Sequence, residues 1–304
     1  GAAKFITTQA AQDIILDQNN AFASSVTMQA GNGDNAAFNH ITFKDSGGVD
    51  LVSSASSSAG DLFINATNNL AVGGNLSITA TTGNITQSGA LDIEGTTTLV
   101  TLGQGADIDL AANGTGNAFT GKLLITTTET SNANDAYATI HGGTTDLKIG
   151  LSAIEGNLTL LSGGEITDEG IATVEGTLTA TTNQLHKIIT LNQLAVTGAL
   201  TLAPNGTGAV TIVNAAGLIL ATSTMGGTFS GTATNGHITQ SGALTITGAA
   251  TFITATTSKN IILDQNNAFA SSVTMKAGTG GSDAFNNITF VDTNGVDLVS
   301  STPS

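Results

Sequence analysis

Residues 75–80 read NLSITA, a phrase in which apolar and polar residues alternate strictly. In an extended strand successive side chains point to opposite faces, so Leu76, Ile78 and Ala80 share one face and the intervening Ser and Thr share the other. The alternation recurs in short strands bounded by Gly, Asn, Asp or Ser, and no helical stripe of about ten residues interrupts it. The recurrences include Leu158/Leu160, Leu178/Ala180, Leu200/Leu202, Val210/Ile212 and Ile261/Leu263. The sequence therefore predicts an all-β protein.

Two short phrases recur at intervals along the chain. GNITQSGAL at residues 83–91 returns as GHITQSGAL at 236–244, with a weaker copy, GEITDEG, at 164–170. The tripeptide Asn-Ala-Phe occurs at 20–22, 117–119 and 267–269, and we expect its Phe to be buried. The phrases predict about three degenerate units, each of several coils.

A longer repeat encloses the short ones. Residues 251–304 repeat residues 4–57 at a constant offset, and IILDQNNAFASSVTM at 14–28 returns letter for letter at 261–275. A segment that opens and closes at the same phase of a long repeat is what a window cut from a tandem array would look like. We therefore expect a structural or adhesive array in which neighbouring repeats or subunits of the same fibre meet end to end.

The residue inventory distinguishes between two β architectures. A string of immunoglobulin-like sandwiches closes each core with large aromatic residues, whereas a parallel β-helix is a narrow tube filled by stacked Val, Ile, Leu and Ala. The chain has 304 residues, of which 40% are hydrophobic, with 38 Gly, no Cys, no Trp and one Tyr. This favours the tube: one continuous β-solenoid over residues 1–304, with coils of roughly 20–25 residues and an irregular loop insertion at 127–150.

The charge balance excludes two classes of partner. The formal net charge is −15, with 22 acidic residues against seven lysines and no Arg, so nucleic acid and anionic membranes are expected to be repelled. No apolar run approaches the roughly 20 residues of a membrane helix, so we expect no membrane insertion. Residues 1–10 lack a signal-peptide pattern, and any export signal is expected outside this sequence.

We predict no catalytic, cofactor-binding or metal site. Asp107 and Asp109 would lie on one strand face, the arrangement that acid/base chemistry on polysaccharides requires, but no cation lies nearby in sequence and a solvated strand edge is the preferred interpretation. The histidines lie far apart, and two of them, His40 and His237, align with Asn in the repeats, which indicates turn residues. The histidines are His40, His141, His186 and His237.

Three further functions are compatible with short stretches of the sequence. Gly103 to Asp107 resembles half of a glycine-rich calcium motif, which makes calcium a candidate ligand, although turn chemistry explains the same residues. Threonine pairs such as Thr254-Ala-Thr256 are compatible with an ice-binding face, although their spacing is irregular. Tyr137 offers an exposed aromatic for host or cell-surface glycans.

The phrases at 83–91, 261–269 and 242–248 resemble the repeats of giant bacterial surface proteins of the filamentous-haemagglutinin type, and the likeness covers nearly the whole chain. The resemblance implies a right-handed parallel β-helix, secretion to the bacterial cell surface, and a role in adhesion, biofilm or sheath formation. We expect a rigid, non-enzymatic stalk, filament or sheath segment. A carbohydrate-binding or surface-binding adhesin is the alternative, and a β-helix polysaccharide-degrading enzyme is the third.

Overall fold

The structure is a computed structural model, and it describes residues 3–7, 12–22, 26–29, 40–47, 49–51, 69–87, 89–112, 114–130, 136–278, 286–295 and 297. The chain divides into two compact units, Gly1–Leu158 and Thr159–Ser304. Apart from a single 3-10 turn at Gly114–Gly116, the described regular structure consists of β-strands.

The strands of the first unit are β1 (Ala3–Ile6), β2 (Ile14–Asn20), β3 (Val26–Gln29), β4 (Ile41–Asp45), β5 (Val49–Leu51), β6 (Asn69–Val72), β7 (Leu76–Ala80), β8 (Ile85–Gln87), β9 (Ala90–Ile93), β10 (Thr97–Gln104), β11 (Ile108–Leu110), β12 (Ala118–Phe119), β13 (Leu123–Thr128), β14 (Ala138–His141), β15 (Leu147–Ile149) and β16 (Ser152–Ile154).

The strands of the second unit are β17 (Leu158–Ser162), β18 (Ile166–Asp168), β19 (Ala172–Val174), β20 (Leu178–Thr182), β21 (Ile189–Val196), β22 (Ala199–Ala203), β23 (Val210–Asn214), β24 (Leu218–Leu220), β25 (Ser223–Met225), β26 (Phe229–Ala233), β27 (Ile238–Gln240), β28 (Leu244–Ile246), β29 (Ala250–Thr254), β30 (Ile261–Phe269), β31 (Val273–Ala277) and β32 (Ile288–Asp292).

The first unit is a parallel β-solenoid. One face carries the ladder β2-β4-β7-β10-β13-β15, with β16 also pairing β13. A second face carries β5-β8-β11-β14, and shorter ladders join β6-β9-β12 and β1-β3. Strands pair in parallel with strands of neighbouring turns, for example β4 with β7 and β7 with β10, so the chain winds and stacks turn upon turn.

The second unit is built in the same way. One ladder runs β18-β21-β23-β26-β29-β31, with β19 also pairing β21, and the other runs β17-β20-β22-β24-β27-β30-β32. Strand β30 is nine residues long and pairs β27 near its start and β28 near its end. The predicted all-β solenoid of stacked parallel strands is therefore confirmed in each unit, whereas its right-handed sense stays a prediction.

Strict register creates the core. In the first unit Phe43, Ile78, Leu99 and Ile125 stack one upon another and are at most 4% exposed. The core of the second unit has a corresponding row, in which all residues are at most 1% exposed: Ile189, Val210, Phe229, Ala250 and Val273. Burial of aliphatic surface, turn against turn, is the main force that holds such a tube together.

Turn length differs between the units. In the second unit each stacked neighbour follows about 20 residues after the last, as predicted for a solenoid coil. Turn length varies more in the first unit, where Ile41 stacks on Leu76 and Leu76 stacks on Thr97. Residues 127–150, predicted as an irregular loop insertion, contain the strands β14 and β15, which belong to the stacked sheets, while residues 131–135 of that stretch lie outside the described residues.

Stacked corners explain part of the glycine content. A Cβ placed on Gly95 would lie 2.4 Å from the Gly74 carbonyl oxygen, and one on Gly121 would lie 2.2 Å from the Gly95 carbonyl oxygen. These distances are too short for any side chain, so only glycine permits three successive corners to approach this closely.

The long sequence repeat is reproduced as a structural repeat where it is described. Ile14 is the register partner of Ile41 in the first copy, and Ile261 is the partner of Ile288 in the second. The register also shifts at the equivalent place in both copies, between Leu16 and Asn20 and between Leu263 and Asn267. Residues 8–11, 23–25, 30–39, 48, 52–57, 279–285, 296 and 298–304 of the two copies lie outside the described residues.

Candidate functional site

Polar residues just before the strands form what we call the turn ladder, in which a side chain accepts a backbone N–H from the equivalent position one turn later. His40 N donates to Asp13 Oδ1 at 2.9 Å, and Asn75 N donates to His40 Nδ1 at 2.8 Å. The other steps are Asp107 N to Asn84 Oδ1, Tyr137 N to Asp107 Oδ1, Asn260 N to His237 Nδ1 and Asn287 N to Asn260 Oδ1. The ladder satisfies backbone donors that the strands leave free.

His40 and His237 take part in the turn ladder through Nδ1, whereas His141 and His186 make other contacts. His237 Nδ1 accepts Asn260 N at 2.8 Å, and His141 Nδ1 accepts Gly143 N at 3.0 Å. His186 Nδ1 lies 2.7 Å from Thr207 Oγ1. The interpretation of His40 and His237 as turn residues equivalent to Asn is confirmed.

The two marker phrases meet in space. Gln87 of the ITQ phrase and Asn117 of the Asn-Ala-Phe phrase form a reciprocal amide pair, with Gln87 Nε2 2.5 Å from Asn117 Oδ1 and Asn117 Nδ2 3.1 Å from Gln87 Oε1. Gln240 and Asn267 repeat this pair at 2.6 and 3.1 Å. The sequence showed both phrases without showing that they bind each other; their recurrence at nearly equal spacing is the signal that could have found the pair.

Each Asn of the amide pair also binds backbone. Asn117 Oδ1 accepts Leu91 N at 2.9 Å, and Asn267 Oδ1 accepts Leu244 N at 2.9 Å. Their Nδ2 groups donate to carbonyl oxygens of the neighbouring turn, at His141 and Val291 respectively. Each asparagine therefore connects three successive turns, and both are at most 2% exposed.

Buried threonines form another recurrent contact that the sequence did not reveal. Thr254 Oγ1 donates to Lys259 O at 3.2 Å and accepts Gly278 N from the next turn at 2.7 Å. Thr182 Oγ1 makes the equivalent contacts with Lys187 O and Asn205 N. Thr254 is fully buried, so the Thr254-Ala-Thr256 pair does not form an exposed Thr-x-Thr face. The outward hydroxyl row of the second unit consists of other residues: Thr190, Thr211, Ser230, Thr251 and Thr274.

The two carboxylates weighed for acid/base chemistry are occupied by backbone contacts. Asp107 lies just before β11 and accepts Tyr137 N at 2.8 Å, while the exposed Asp109 accepts Ala111 N at 3.0 Å. The described residues contain no group of three or more His, Asp or Glu side chains that could hold a metal ion. Gly105 within the calcium-like stretch has a φ of 65°, a turn geometry that glycine adopts freely.

Burial shifts two titratable groups. Desolvation raises the pKa of the Asp92 carboxyl in β9 above its ordinary value and lowers the pKa of the His141 imidazole below its ordinary value. Burial is the cause of each shift, and both residues belong to strands of the first unit. Their shifts follow from partial burial in a solenoid wall.

Tyr137 stands apart from the core. It lies just before β14, its side chain is 42% exposed, and a Cβ on Gly156 would approach its ring within 2.9 Å. The ring therefore packs beside the Gly156 backbone and leaves part of its surface to solvent. None of the described residues forms a helix with the length and apolar character needed to cross a bilayer.

A family model described as repeats of unknown function (DUF5649) matches the chain in three stretches, residues 54–126, 133–203 and 207–276. The three stretches together cover more than two thirds of the sequence, and their number agrees with the three degenerate units indicated by the marker phrases. No curated protein and no solved structure matches the chain.

Proposed function

We propose that this chain, which belongs to the family of repeats of unknown function DUF5649, is a load-bearing segment of a long bacterial surface fibre that acts as a rigid stalk, filament or sheath. In this role the protein lies outside the cell and is not an enzyme. Its partners are neighbouring repeats or subunits of the same fibre. We propose no cofactor for this role.

One observation carries this proposal: the recurrent polar side chains are directed at the backbone of the next turn. The turn ladder, the amide pairs and the buried threonines all bind between turns and repeat along the units. The side chains of Asp13, His40 and Asn75 line a cavity of about 350 Å³ in the first unit, yet each of them accepts a backbone N–H from the next turn. Here the same residue types serve stacking, which suits a protein whose task is mechanical.

Stretching a single molecule tests the mechanical role. The full chain is tethered by its ends and pulled at constant speed in an atomic force microscope. We expect stepwise unfolding in which each step releases the length of one or a few turns, about 20 residues each in the second unit. A single smooth extension at low force would refute the proposal, because the turns would then carry no load.

An adhesin is the second candidate, and the exposure of Tyr137 favours it. An aromatic ring that is 42% exposed and supported by the Gly156 backbone can stack on the apolar face of a sugar. A glycan array probed with the full chain and with Tyr137→Ala tests this function. Saturable binding that disappears in the variant would establish the adhesin, and absence of binding in both would leave Tyr137 as a surface residue of a stalk.

A further inference from the structure

Strands β4 and β32 have equivalent sequences but different surroundings. They occupy the same place in the two copies of the long repeat, and both place Ile, Phe and Asp at their first, third and fifth positions. In β4 these residues are buried: Ile41 is 2% exposed, Phe43 4% and Asp45 3%. In β32, Ile288 is 46% exposed, while the equivalent Phe and Asp are half-buried. The β32 edge therefore exposes an apolar surface whose equivalent on β4 is buried.

The first copy shows what covers this surface. Strand β7 pairs with β4 in parallel, with Ile41 against Leu76, Phe43 against Ile78 and Asp45 against Ala80. Ile41 N donates to the Asn75 carbonyl oxygen at 3.1 Å, and Thr81 N donates to the Asp45 carbonyl oxygen at 2.8 Å. The cover is thus a turn whose inward residues are aliphatic and whose intervening residues are hydroxylic.

The other edge of the repeat gives an independent observation of the same kind. Asn267 and Leu263 of β30 are fully buried beneath the turn that contains Gln240 and Leu244. Their equivalents in β2, Leu16 and Asn20, are only half-buried. Both copies thus carry the residues for a neighbour on each side, and each copy buries one edge under such a neighbour.

We propose that the β32 edge is a docking surface for one further solenoid turn of the same repeat type, whose strand resembles Leu76–Ala80. This inference rests on the proposed stalk function and specifies the contact by which successive segments of the stalk join. The incoming strand would pair in parallel with β32 and place aliphatic residues on Ile288 and Phe290, as β7 does on β4. Its preceding carbonyl would accept Ile288 N, as Asn75 O accepts Ile41 N.

Extending the chain tests this assignment. A copy of residues 58–130 is fused directly after Ser304, which keeps the offset between the two repeats. Hydrogen exchange of the Ile288 amide is then compared in the original and extended chains. We expect the extension to slow exchange at Ile288 by at least about tenfold, because an edge amide becomes a ladder amide. The matched control carries Leu76→Asp and Ile78→Asp in the appended copy only, and it should leave Ile288 exchanging as in the original chain.

Each remaining outcome contradicts the docking proposal. Unchanged exchange at Ile288 in the extended chain would overturn it, whether or not the appended residues are themselves protected. Equal protection by the Asp-substituted extension would show that the aliphatic register is irrelevant. If the original chain forms a dimer that Ile288→Asp abolishes, the surface belongs to a second copy of this chain and the assignment is wrong. None of these results alters the pulling experiment on the original chain, so the stalk function is judged separately.

Discussion

Replacing Asn267 by Ala is the most direct test of the amide pair. The side chain is fully buried and accepts hydrogen bonds from Gln240 Nε2 at 2.6 Å and Leu244 N at 2.9 Å. It donates to the carbonyl oxygens of Leu263 at 3.3 Å and Val291 at 3.0 Å, and to Gln240 Oε1 at 3.1 Å. Alanine removes all of these contacts together and leaves the backbone groups that made them.

The expected cost follows from the groups left without a partner. Leu244 N and the Leu263 carbonyl lie in the buried interior, and an unsatisfied buried backbone group costs about 1–3 kcal/mol. Val291 lies at an exposed edge, where water can replace the lost contact, and the half-buried Gln240 can turn toward solvent. Two such groups are left, so we expect Asn267→Ala to lower the free energy of local opening by about 2–6 kcal/mol.

Native-state hydrogen exchange measures the free energy of opening amide by amide. It therefore locates the loss of stability in a solenoid, which opens turn by turn. Amides of β28 and β30 should lose protection, whereas those of β20 and β22 should keep it. The matched control is Asn266→Ala, an exposed neighbour in β30 whose replacement should cost less than about 0.5 kcal/mol. Equal losses for the two variants would refute the idea that the amide pair stabilises the turns.

Three other variants or conditions extend the test. His237→Asn should unfold at the urea midpoint of the original chain because Asn fills the equivalent position at Asn84, whereas His237→Ala should lose about 1 kcal/mol. Burial lowers the pKa of His141, so as the pH falls the unfolded chain takes up a proton before the folded chain does. The stability that this residue confers is therefore complete above about pH 6.5 and declines below it. The free energies of unfolding from urea titrations at pH 7.5 and 5.5 should differ less in His141→Asn than in the original chain. Phe252→Ala should lower the free energy of unfolding, measured by the same titration, by about 3–5 kcal/mol. The reason is that its buried ring packs with its centroid 5.2 Å from that of Phe229 and 6.0 Å from that of Phe269. A loss below about 1 kcal/mol would contradict a packed core.

Much of the fold was accessible from period-two alternation alone. Leu76, Ile78 and Ala80 were placed on one face from the sequence, and all three are at most 1% exposed. The absence of Trp favoured a narrow tube over a chain of sandwiches, because large aromatic residues, often Trp and Tyr, usually close a sandwich core. Strand pairing could not be obtained this way, since many aliphatic strands are interchangeable and turn length varies between the two units.

The polar contacts were less accessible because their partners are distant in sequence. The turn role of His40 and His237 was accessible from the sequence, because Asn occupies the equivalent positions in the other copies of the repeats. Two residue types that replace each other at one position are expected to make the same contact there. Asn117 was noted only as the neighbour of a buried Phe, and its bonds to Gln87 depend on how far the chain advances per turn. Thr254 was grouped with exposed threonines because a strand-end residue can point either way, and its burial depends on where the strand stops.

The division of tasks between aliphatic and amide residues explains how such a chain tolerates variable turns. Apolar core contacts do not require a particular partner, since Val210 stacks on Phe229 and Phe229 in turn stacks on Ala250. A slip of one residue would move every core side chain to the solvent face, yet a slip of two would preserve the alternation. The amide of Asn267 forbids both, because Leu244 N and Val291 O would lose their common partner. Register is therefore fixed at a few buried polar positions, and the length of chain between them is free to change.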